Sequence, residues 1–332
     1  MAQDIRRRTV LGASAAALLG PPAQAALIAR PPPLPQPVTL TVGAASVAHL
    51  APLTLIGDDL HAMGVEVKRV DFVRYADART ALAAGSLDLA TVGPADLPIA
   101  LSTGITSMSA LMGVGSQAKY PVVRQGVQVE RWADLAGKRV AVAPASAVWF
   151  QFVATLEEQG VPYKALEVVN IQGAGSNFNQ ALKRGDVDAI VTWEPFESTP
   201  VAEGYGYWPP ALDYSQSRAV GAELGMFAAS TEALAAKREA VRRFVWAYIR
   251  AQERLAADPA AFAAAITAYT GIAPAIAARV AAGIRLGAVL SLDQLQRQAA
   301  AFHRLGVIGR DVSAELPAHY AGDLVAGVMA PG

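Results

Sequence analysis

One stretch occurs twice in this chain: Ala81-Leu82-Ala83-Ala84-Gly85-Ser86-Leu87-Asp88-Leu89 and, one hundred residues later, Ala181-Leu182-Lys183-Arg184-Gly185-Asp186-Val187-Asp188-Ala189. Before each glycine, apolar residues are spaced i, i+3, i+4, which is the buried stripe of a short helix. The glycine then ends the helix in the left-handed conformation, which costs glycine little. An apolar run follows each glycine, as expected of a buried strand. A helix, a tight turn and a strand that occur twice predict two α/β lobes of similar design.

Each copy carries an aspartate at the start of its strand, Asp88 or Asp188. Two such carboxylates could take part in catalysis. Aspartate is also common at this position because its side chain hydrogen-bonds nearby backbone groups. We expect the structural role for both residues.

The composition limits what the chain can do. Its 332 residues are enough for about two domains. The 28 basic residues are balanced by 28 acidic ones, so the charge does not favour nucleic acid or an anionic membrane surface as a partner. The absence of cysteine excludes disulfides, thiolate metal sites and cysteine nucleophiles. Two long uncharged runs, 97–118 and 259–278, are interrupted by glycine or rich in alanine, so they predict core rather than membrane spans.

The first 25 residues predict an export signal. Arg6-Arg7-Arg8-Thr9-Val10-Leu11 precedes an apolar run that is too short to span a bilayer, and Ala23-Gln24-Ala25 offers the small residues of a cleavage site. The pair Arg7-Arg8 fits a twin-arginine signal, and a general secretory signal is the alternative. Either route predicts a periplasmic protein cleaved after Ala25. Residues 26–37 are proline-rich and predict a stiff extended spacer that is not part of the fold.

Strands and helices alternate along the rest of the chain, which predicts parallel strands joined by right-handed crossovers. The alanine-rich helices after Thr231 need a sheet to cover, so we assign them to the first lobe. The predicted fold is therefore α/β with two lobes, each a mainly parallel sheet flanked by helices. Lobe 1 would contain residues 38–116 and 220–332, lobe 2 residues 117–219, and two segments would cross between them.

Ligands of open parallel sheets bind beyond the carboxyl ends of the strands. Four loops at such ends carry our candidate ligand-binding residues: Ser46, His49, Gly93, Pro94, Asp96, Ser146, Trp149, Trp193 and Glu194. None of these loops contains Lys or Arg, so backbone amides and hydroxyls would have to hold an anion.

Each candidate also has a structural interpretation. Ser46 and Ser146 precede helices whose free amides favour an anion, but helix capping explains them equally well. The two tryptophans could wall the cleft or belong to the core. Glu194 could receive an amine or form a salt bridge. Asn177, after a glycine-rich stretch, is expected to cap the next helix.

Patterns typical of catalysis or metal binding are missing from the sequence. The four histidines are scattered without metal-ligand spacing, and there is no G-x-S-x-G nucleophile turn. We therefore expect no cofactor and no metal.

Four passages in sequence order resemble the periplasmic solute-binding proteins of ABC importers, in the group that serves nitrate, sulfonates, taurine and thiamine-pyrimidine precursors. They are residues 81–94, 134–146, 181–195 with Trp193-Glu194-Pro195, and 292–306. Pro94 departs from the resemblance, since several members have an acidic residue there, and residues 172–177 are unusually glycine-rich. The resemblance therefore does not imply a particular solute.

The resemblance implies a type II periplasmic-binding-protein-like fold that closes on a small solute. It also implies a monomer that has an inner-membrane ABC permease as partner and no chemistry of its own. An anionic or zwitterionic solute would suit the cleft loops. The alternative is an exported enzyme on the same fold, related to thiamine-pyrimidine-precursor metabolism. A sensory domain is disfavoured, because no spanning helix follows the lobes.

Overall fold

The computed structural model describes residues 26–330, and the predicted export signal lies outside them. The described residues contain ten strands: β1 Val38–Ala45, β2 Val65–Phe72, β3 Leu89–Val92, β4 Met108–Gly113, β5 Val122–Arg124, β6 Arg139–Val142, β7 Glu167–Asn170, β8 Ala189–Ile190, β9 Gly206–Tyr207 and β10 Met226–Ser230. They also contain twelve α-helices: α1 Gly57–Ala62, α2 Tyr75–Ala83, α3 Asp96–Ser102, α4 Ala147–Glu158, α5 Gly175–Arg184, α6 Ser198–Ala202, α7 Thr231–Ala236, α8 Arg238–Ala257, α9 Pro259–Thr270, α10 Pro274–Gly283, α11 Leu292–Arg304 and α12 Asp323–Ala326. Short 3-10 helices lie at Ala48–Leu55, Trp132–Leu135, Tyr163–Ala165, Pro210–Leu212, Tyr214–Gln216 and Leu316–His319.

The strands form two five-stranded sheets of the same design. The orders are β2-β1-β3-β10-β4 and β7-β6-β8-β5-β9. In each sheet the first three strands are parallel, and the fourth is antiparallel to both neighbours. The predicted α/β fold with two similar lobes is confirmed, although each sheet is mixed rather than mainly parallel. The antiparallel strand is the first that the chain forms after crossing from the other sheet, and it enters in the opposite direction.

The repeated motif forms α2 with β3 in one sheet and α5 with β8 in the other. Gly85 and Gly185 follow these helices with φ of +77° and +78°, as the motif predicts. Asp88 accepts a hydrogen bond from the amide of Thr41 at 2.8 Å, and Asp188 accepts one from the amide of Arg139 at 3.1 Å. Both aspartates therefore tie their strand to its neighbour, at the end remote from the strands' carboxyl ends.

Two segments cross between the sheets, one from β4 to β5 and one from β9 to β10. They run side by side: Gln117 donates its amide to the carbonyl of Ala222 at 3.1 Å, and Leu224 donates to Gly115 at 3.0 Å. Our lobe boundaries, 116/117 and 219/220, lie on these segments and stay a proposal. Hinge rotation at these two crossings stays a prediction.

The carboxyl-terminal helices mostly cover the first sheet. Phe227 of β10 packs edge-on against Phe244 and Tyr248 of α8, with ring centroids 5.0 and 4.9 Å apart. Helix α11 also reaches the other lobe, because Phe302 packs 5.4 Å from Phe150 of α4. Among the described residues, no single helix has the length and apolar character needed to cross a membrane. Helices α9 and α10 would pass that test only as a pair, and they are bent by 118°.

Three local expectations differ from the structure. Residues 26–37 are not a spacer outside the fold, because Pro32 accepts from Arg243 of α8 at 2.9 Å and Ile28 accepts from Trp246 at 3.0 Å. The single helix expected at 49–63 is a 3-10 helix followed by α1, since Pro52 lacks the amide that an α-helix interior needs. Asn177 does not cap α5, which begins two residues earlier at Gly175.

Candidate ligand-binding site

A cavity of about 310 Å³ is lined by residues from both lobes. Ala45 ends β1, Arg74 and Tyr75 follow β2, Pro144 to Ser146 follow β6, and Thr192 and Trp193 follow β8. The cavity therefore lies beyond the carboxyl ends of parallel strands, the usual place for a ligand in such sheets. Its volume suits a small molecule.

The nine candidate residues divide between the cavity and its surroundings. His49, Ser146, Trp193 and Glu194 line the cavity. Ser46 is exposed, Gly93, Pro94 and Asp96 are buried, and Trp149 donates its indole N–H to the hydroxyl of Tyr163 at 2.9 Å. These five residues do not line the cavity. A ligand contact by any of the nine stays a prediction.

Lys119 brings a buried cation to the cavity from the first crossing segment. Its side chain is enclosed, with the residue 4% exposed. Nζ donates to the carbonyl oxygens of Glu223 at 2.6 Å and Gly221 at 3.1 Å, and to Oε1 of Gln151 at 3.3 Å. Burial lowers the pKa of Lys119 to about 8, against the opposing pull of nearby carboxylates. The ammonium is thus mostly charged at pH 7, yet no carboxylate among residues 26–330 forms an ion pair with it.

Two arginines also line the cavity, and both have a carboxylate partner. Arg74 pairs with Asp77 at 2.8 Å and reaches across to Oε1 of Gln172, in lobe 2, at 3.1 Å. Arg79 pairs with Asp96 at 2.7 Å. Their charges are largely compensated within the protein, which distinguishes them from Lys119.

Two buried carboxyl groups, Glu194 and Glu197, line the same cavity. Glu194 accepts from the amide and the hydroxyl of Ser198 at 2.9 and 2.6 Å. Glu197 accepts from the amide of Tyr120 at 2.8 Å and from Nε2 of Gln117 at 3.2 Å. Burial raises the pKa of Glu194 to about 7, and burial together with the neighbouring Glu194 raises the pKa of Glu197 well above its usual range. Neither carboxyl forms an ion pair within the described part of the chain.

His49 and Tyr75 form a buried pair at the cavity wall. Nε2 of His49 lies 2.5 Å from the hydroxyl of Tyr75. Burial, followed by the charge of Lys119, lowers the pKa of His49 to about 3, so the ring is neutral at pH 7. A neutral imidazole bonded to a phenol can take part in hydrogen bonding but does not supply a charge for an anion.

Three side chains of the cavity keep a polar atom without a partner in the described residues: Nδ1 of His49, Nε2 of Gln151 and Oγ1 of Thr192. Each residue is at most 3% exposed. An unsatisfied buried polar group costs about 1–3 kcal/mol, and such groups are rare in folded proteins. A ligand with hydrogen-bonding groups would remove that cost.

The start of α4 closes one side of the cavity. Ser146 caps the helix, accepting from the amide of Trp149 at 3.2 Å, so its hydroxyl already has a structural role. Ala145 has φ of +64°, a left-handed conformation that costs a non-glycine residue energy and is common at ligand sites. The same helix start touches the loop after β3: a Cβ on Gly93 would lie 2.3 Å from Cβ of Ala147. The two lobes are therefore in close contact at this edge of the cleft.

Sequence reasoning missed several residues of the cavity. Arg74 and Tyr75 follow β2, a strand end as eligible as the four that we considered. Glu197 lies three residues after Glu194, in the turn that leads into α6, and this turn brings both carboxyl groups to the cavity. Lys119 had no comparable signal, because it lies between the lobes rather than at a strand end. Within the described residues, no group of three or more His, Asp or Glu side chains could hold a metal ion.

Comparison with protein families gives one match. The family model described as NMT1/THI5 like matches residues 61–262, which is more than half of the chain. The chain belongs to this family. The resemblance inferred from the four sequence passages is thereby confirmed. A curated relative, the taurine-binding periplasmic protein of Escherichia coli, is 28% identical over 117 residues. That alignment spans only 35% of either protein.

Solved structures share the fold at low identity. The alkanesulfonate-binding protein of Xanthomonas axonopodis pv. citri, solved with MOPS bound, has a TM-score of 0.72 at 20% identity, covering 86% of this chain and 99% of that one. The periplasmic nitrate-binding protein of Synechocystis PCC 6803 has a TM-score of 0.73 at 14% identity, covering 88% of each. A desulfurization enzyme has a TM-score of 0.63 at 18% identity, covering 87% of this chain and 98% of that one. Binding proteins and an enzyme thus share this architecture.

Proposed function

We propose that the protein is the extracytoplasmic solute-binding component of an ABC importer, which captures a small anionic or zwitterionic solute between its lobes. The observation that carries the proposal is the buried Lys119 ammonium, which lines the cavity without a carboxylate partner. The protein gives this ammonium three neutral acceptors, and a buried charge is costly unless it is paired, so the acid group of a solute would add the missing negative charge. The family and its taurine-, sulfonate- and nitrate-binding relatives support this class of solute.

A thermal-shift screen followed by calorimetry tests the proposal. The solutes are nitrate, taurine, alkanesulfonates, aromatic carboxylates and pyrimidines. A solute at 100 times its Kd should stabilise the folded protein by about 2.7 kcal/mol. Lys119→Met should weaken binding of the best solute at least tenfold, while the exposed control Lys164→Met should bind like wild type. Equal binding by Lys119→Met would refute the assigned role of the ammonium.

Export belongs to the same proposal. We infer that residues 1–25 direct the chain through the twin-arginine route to the periplasm, where it would meet its permease. Replacing Arg7 and Arg8 together by Lys should stop export by that route, and the mature protein should begin at Ala26. Amino-terminal sequencing and cell fractionation measure both. Unchanged export of the double variant would point to the general secretory route instead.

A second candidate, an exported enzyme, is favoured by the hydrogen-bonded pair of His49 and Tyr75 beside two buried carboxyls. Such neighbours can move protons, and a desulfurization enzyme has the same fold. Mass spectrometry of the bound solute after long incubation separates the two candidates. A binding protein returns the solute unchanged, whereas chemical conversion would establish the enzyme.

A further inference from the structure

The cavity holds an unpaired ammonium and two unpaired acid groups, and this restricts the solute beyond its being an acid. Lys119 has no carboxylate partner, while Glu194 and Glu197 have no Lys or Arg partner among residues 26–330. All three side chains are at least nine-tenths buried and line one cavity. The protein therefore presents a cation and two acids to the same small space without joining them to each other.

One short segment fixes the positions of the ammonium of Lys119 and the carboxyl group of Glu197. Within the first crossing, Gln117 and Tyr120 hold the carboxyl of Glu197 through Nε2 and the amide, and Lys119 lies between them in sequence. Lys119 in turn contacts Gln151, whose Nε2 lacks a partner. Near the other acid, Thr192 lies two residues before Glu194 and has a hydroxyl without a partner. Both free polar atoms belong to residues that line the cavity, so they are available to a solute.

We propose that Glu194 and Glu197 receive an amino group of the solute while Lys119 holds its acid group, so that the solute is a small zwitterion of the amino acid or aminosulfonate class. This inference rests on the proposed function. An ammonium donates up to three hydrogen bonds, and each carboxyl oxygen of the pair accepts only one in the structure. Each oxygen therefore keeps a lone pair that the solute's ammonium can use.

A plain anion and a solute with an ammonium group would change the number of protons on the two carboxyl groups in different ways. If the solute were a plain anion, a protonated carboxyl of the pair would donate to it and would keep or gain its proton. An ammonium group instead displaces the proton that the buried pair carries. Other charged groups near the pair are Arg279 for Glu194, and Lys119 and Asp213 for Glu197. At pH 7 Lys119, with a pKa of about 8, is already about nine-tenths protonated, so it takes up few protons itself.

Calorimetry with matched solutes tests the proposal. Each pair contains an amino acid or aminosulfonate and the analogue in which a hydroxyl replaces the amino group. Taurine is compared with isethionate, and β-alanine, γ-aminobutyrate and larger amino acids are each compared with their hydroxy analogue. Titrations at pH 7 in buffers of different ionisation enthalpy give the number of protons released. We expect the amino member of a pair to bind at least tenfold more tightly and to release protons. Glu197→Gln should lose most of that preference, whereas the exposed control Glu130→Gln should keep it.

The outcomes separate this inference from the proposed function. Equal or tighter binding of the hydroxy analogue, binding of a plain anion such as nitrate, or proton uptake would overturn the zwitterion and leave a solute-binding protein. Absence of binding across both series and the wider screen would overturn the proposed function, and the inference with it. The comparison of solutes uses wild-type protein, so it remains decisive if Glu197→Gln does not fold.

Discussion

Gly93 offers a direct test of the proposed closure of the cleft on a solute. Its backbone does not adopt a positive φ, so alanine is allowed there conformationally. The new Cβ, however, would lie 2.3 Å from Cβ of Ala147 and 3.2 Å from Oδ2 of Asp96. Ordinary contacts begin at about 3.4 Å, so the Gly93 and Ala147 loops must separate by about 1 Å. Asp96 resists local adjustment, because Arg79 and the amide of Gly93 hold it.

Gly93→Ala should therefore impair the closed, solute-bound form more than the fold. Overpacking of this kind costs about 1–3 kcal/mol, and 1.4 kcal/mol already corresponds to a tenfold change in Kd. We expect calorimetry to give a Kd about tenfold or more above wild type. Small-angle scattering should show a smaller decrease in the radius of gyration on binding. The melting temperature without solute should stay close to wild type.

The matched control is Gly57→Ala, because no atom lies within 4 Å of a Cβ at that position. It should bind and compact like wild type. If Gly93→Ala also binds with wild-type affinity and compacts fully, the approach of Gly93 to Ala147 is not part of the solute-bound form. A loss of stability without solute would indicate instead that the contact belongs to the resting fold.

The other predictions concern stability, the cavity wall and pH. Asp188→Asn should lower the free energy of unfolding by about 1–3 kcal/mol at pH 7 in urea titrations. Hydrogen bonds from Arg139 hold the pKa of Asp188 well below its usual range, so this difference should be complete above about pH 4 and fade as the pH falls further. Trp193→Ala should weaken solute binding at least tenfold, about 1.4 kcal/mol, without loss of fold; wild-type affinity in calorimetry would exclude the indole from the wall. Binding of an acid solute should weaken as the pH rises through about 8, where Lys119 loses its proton, and a flat profile between pH 6 and 9 would contradict that assignment.

The sequence was sufficient to predict the architecture because the same local pattern of residues occurs in both lobes. The helix stripe, the left-handed Gly85 or Gly185 and the following apolar strand are local features, and local features specify elements well. The direction of β10 was not predictable in the same way. It depends on the side from which the chain re-enters the first sheet, which is a property of the whole path rather than of residues 226–230.

The site was less predictable than the fold for a related reason. Strand ends can be read from apolar patterns, and they led to Ser146, Trp193 and Glu194. Lys119 lies in a crossing segment, and its environment comes from Gln151, Gly221 and Glu223, which are 32 to 104 residues away. A lysine in sequence predicts an exposed charge, and only the packing of these distant groups makes it buried and unpaired.

Lys119 also connects the site to the hinge. Its ammonium donates to the carbonyls of Gly221 and Glu223 on the second crossing, while its backbone belongs to the first. Hinge rotation at these crossings would therefore act on those two hydrogen bonds. An acid group that binds the ammonium competes with those carbonyls for its N–H donors. In the proposed function, the solute's charge and the movement of the lobes would therefore act on the same side chain.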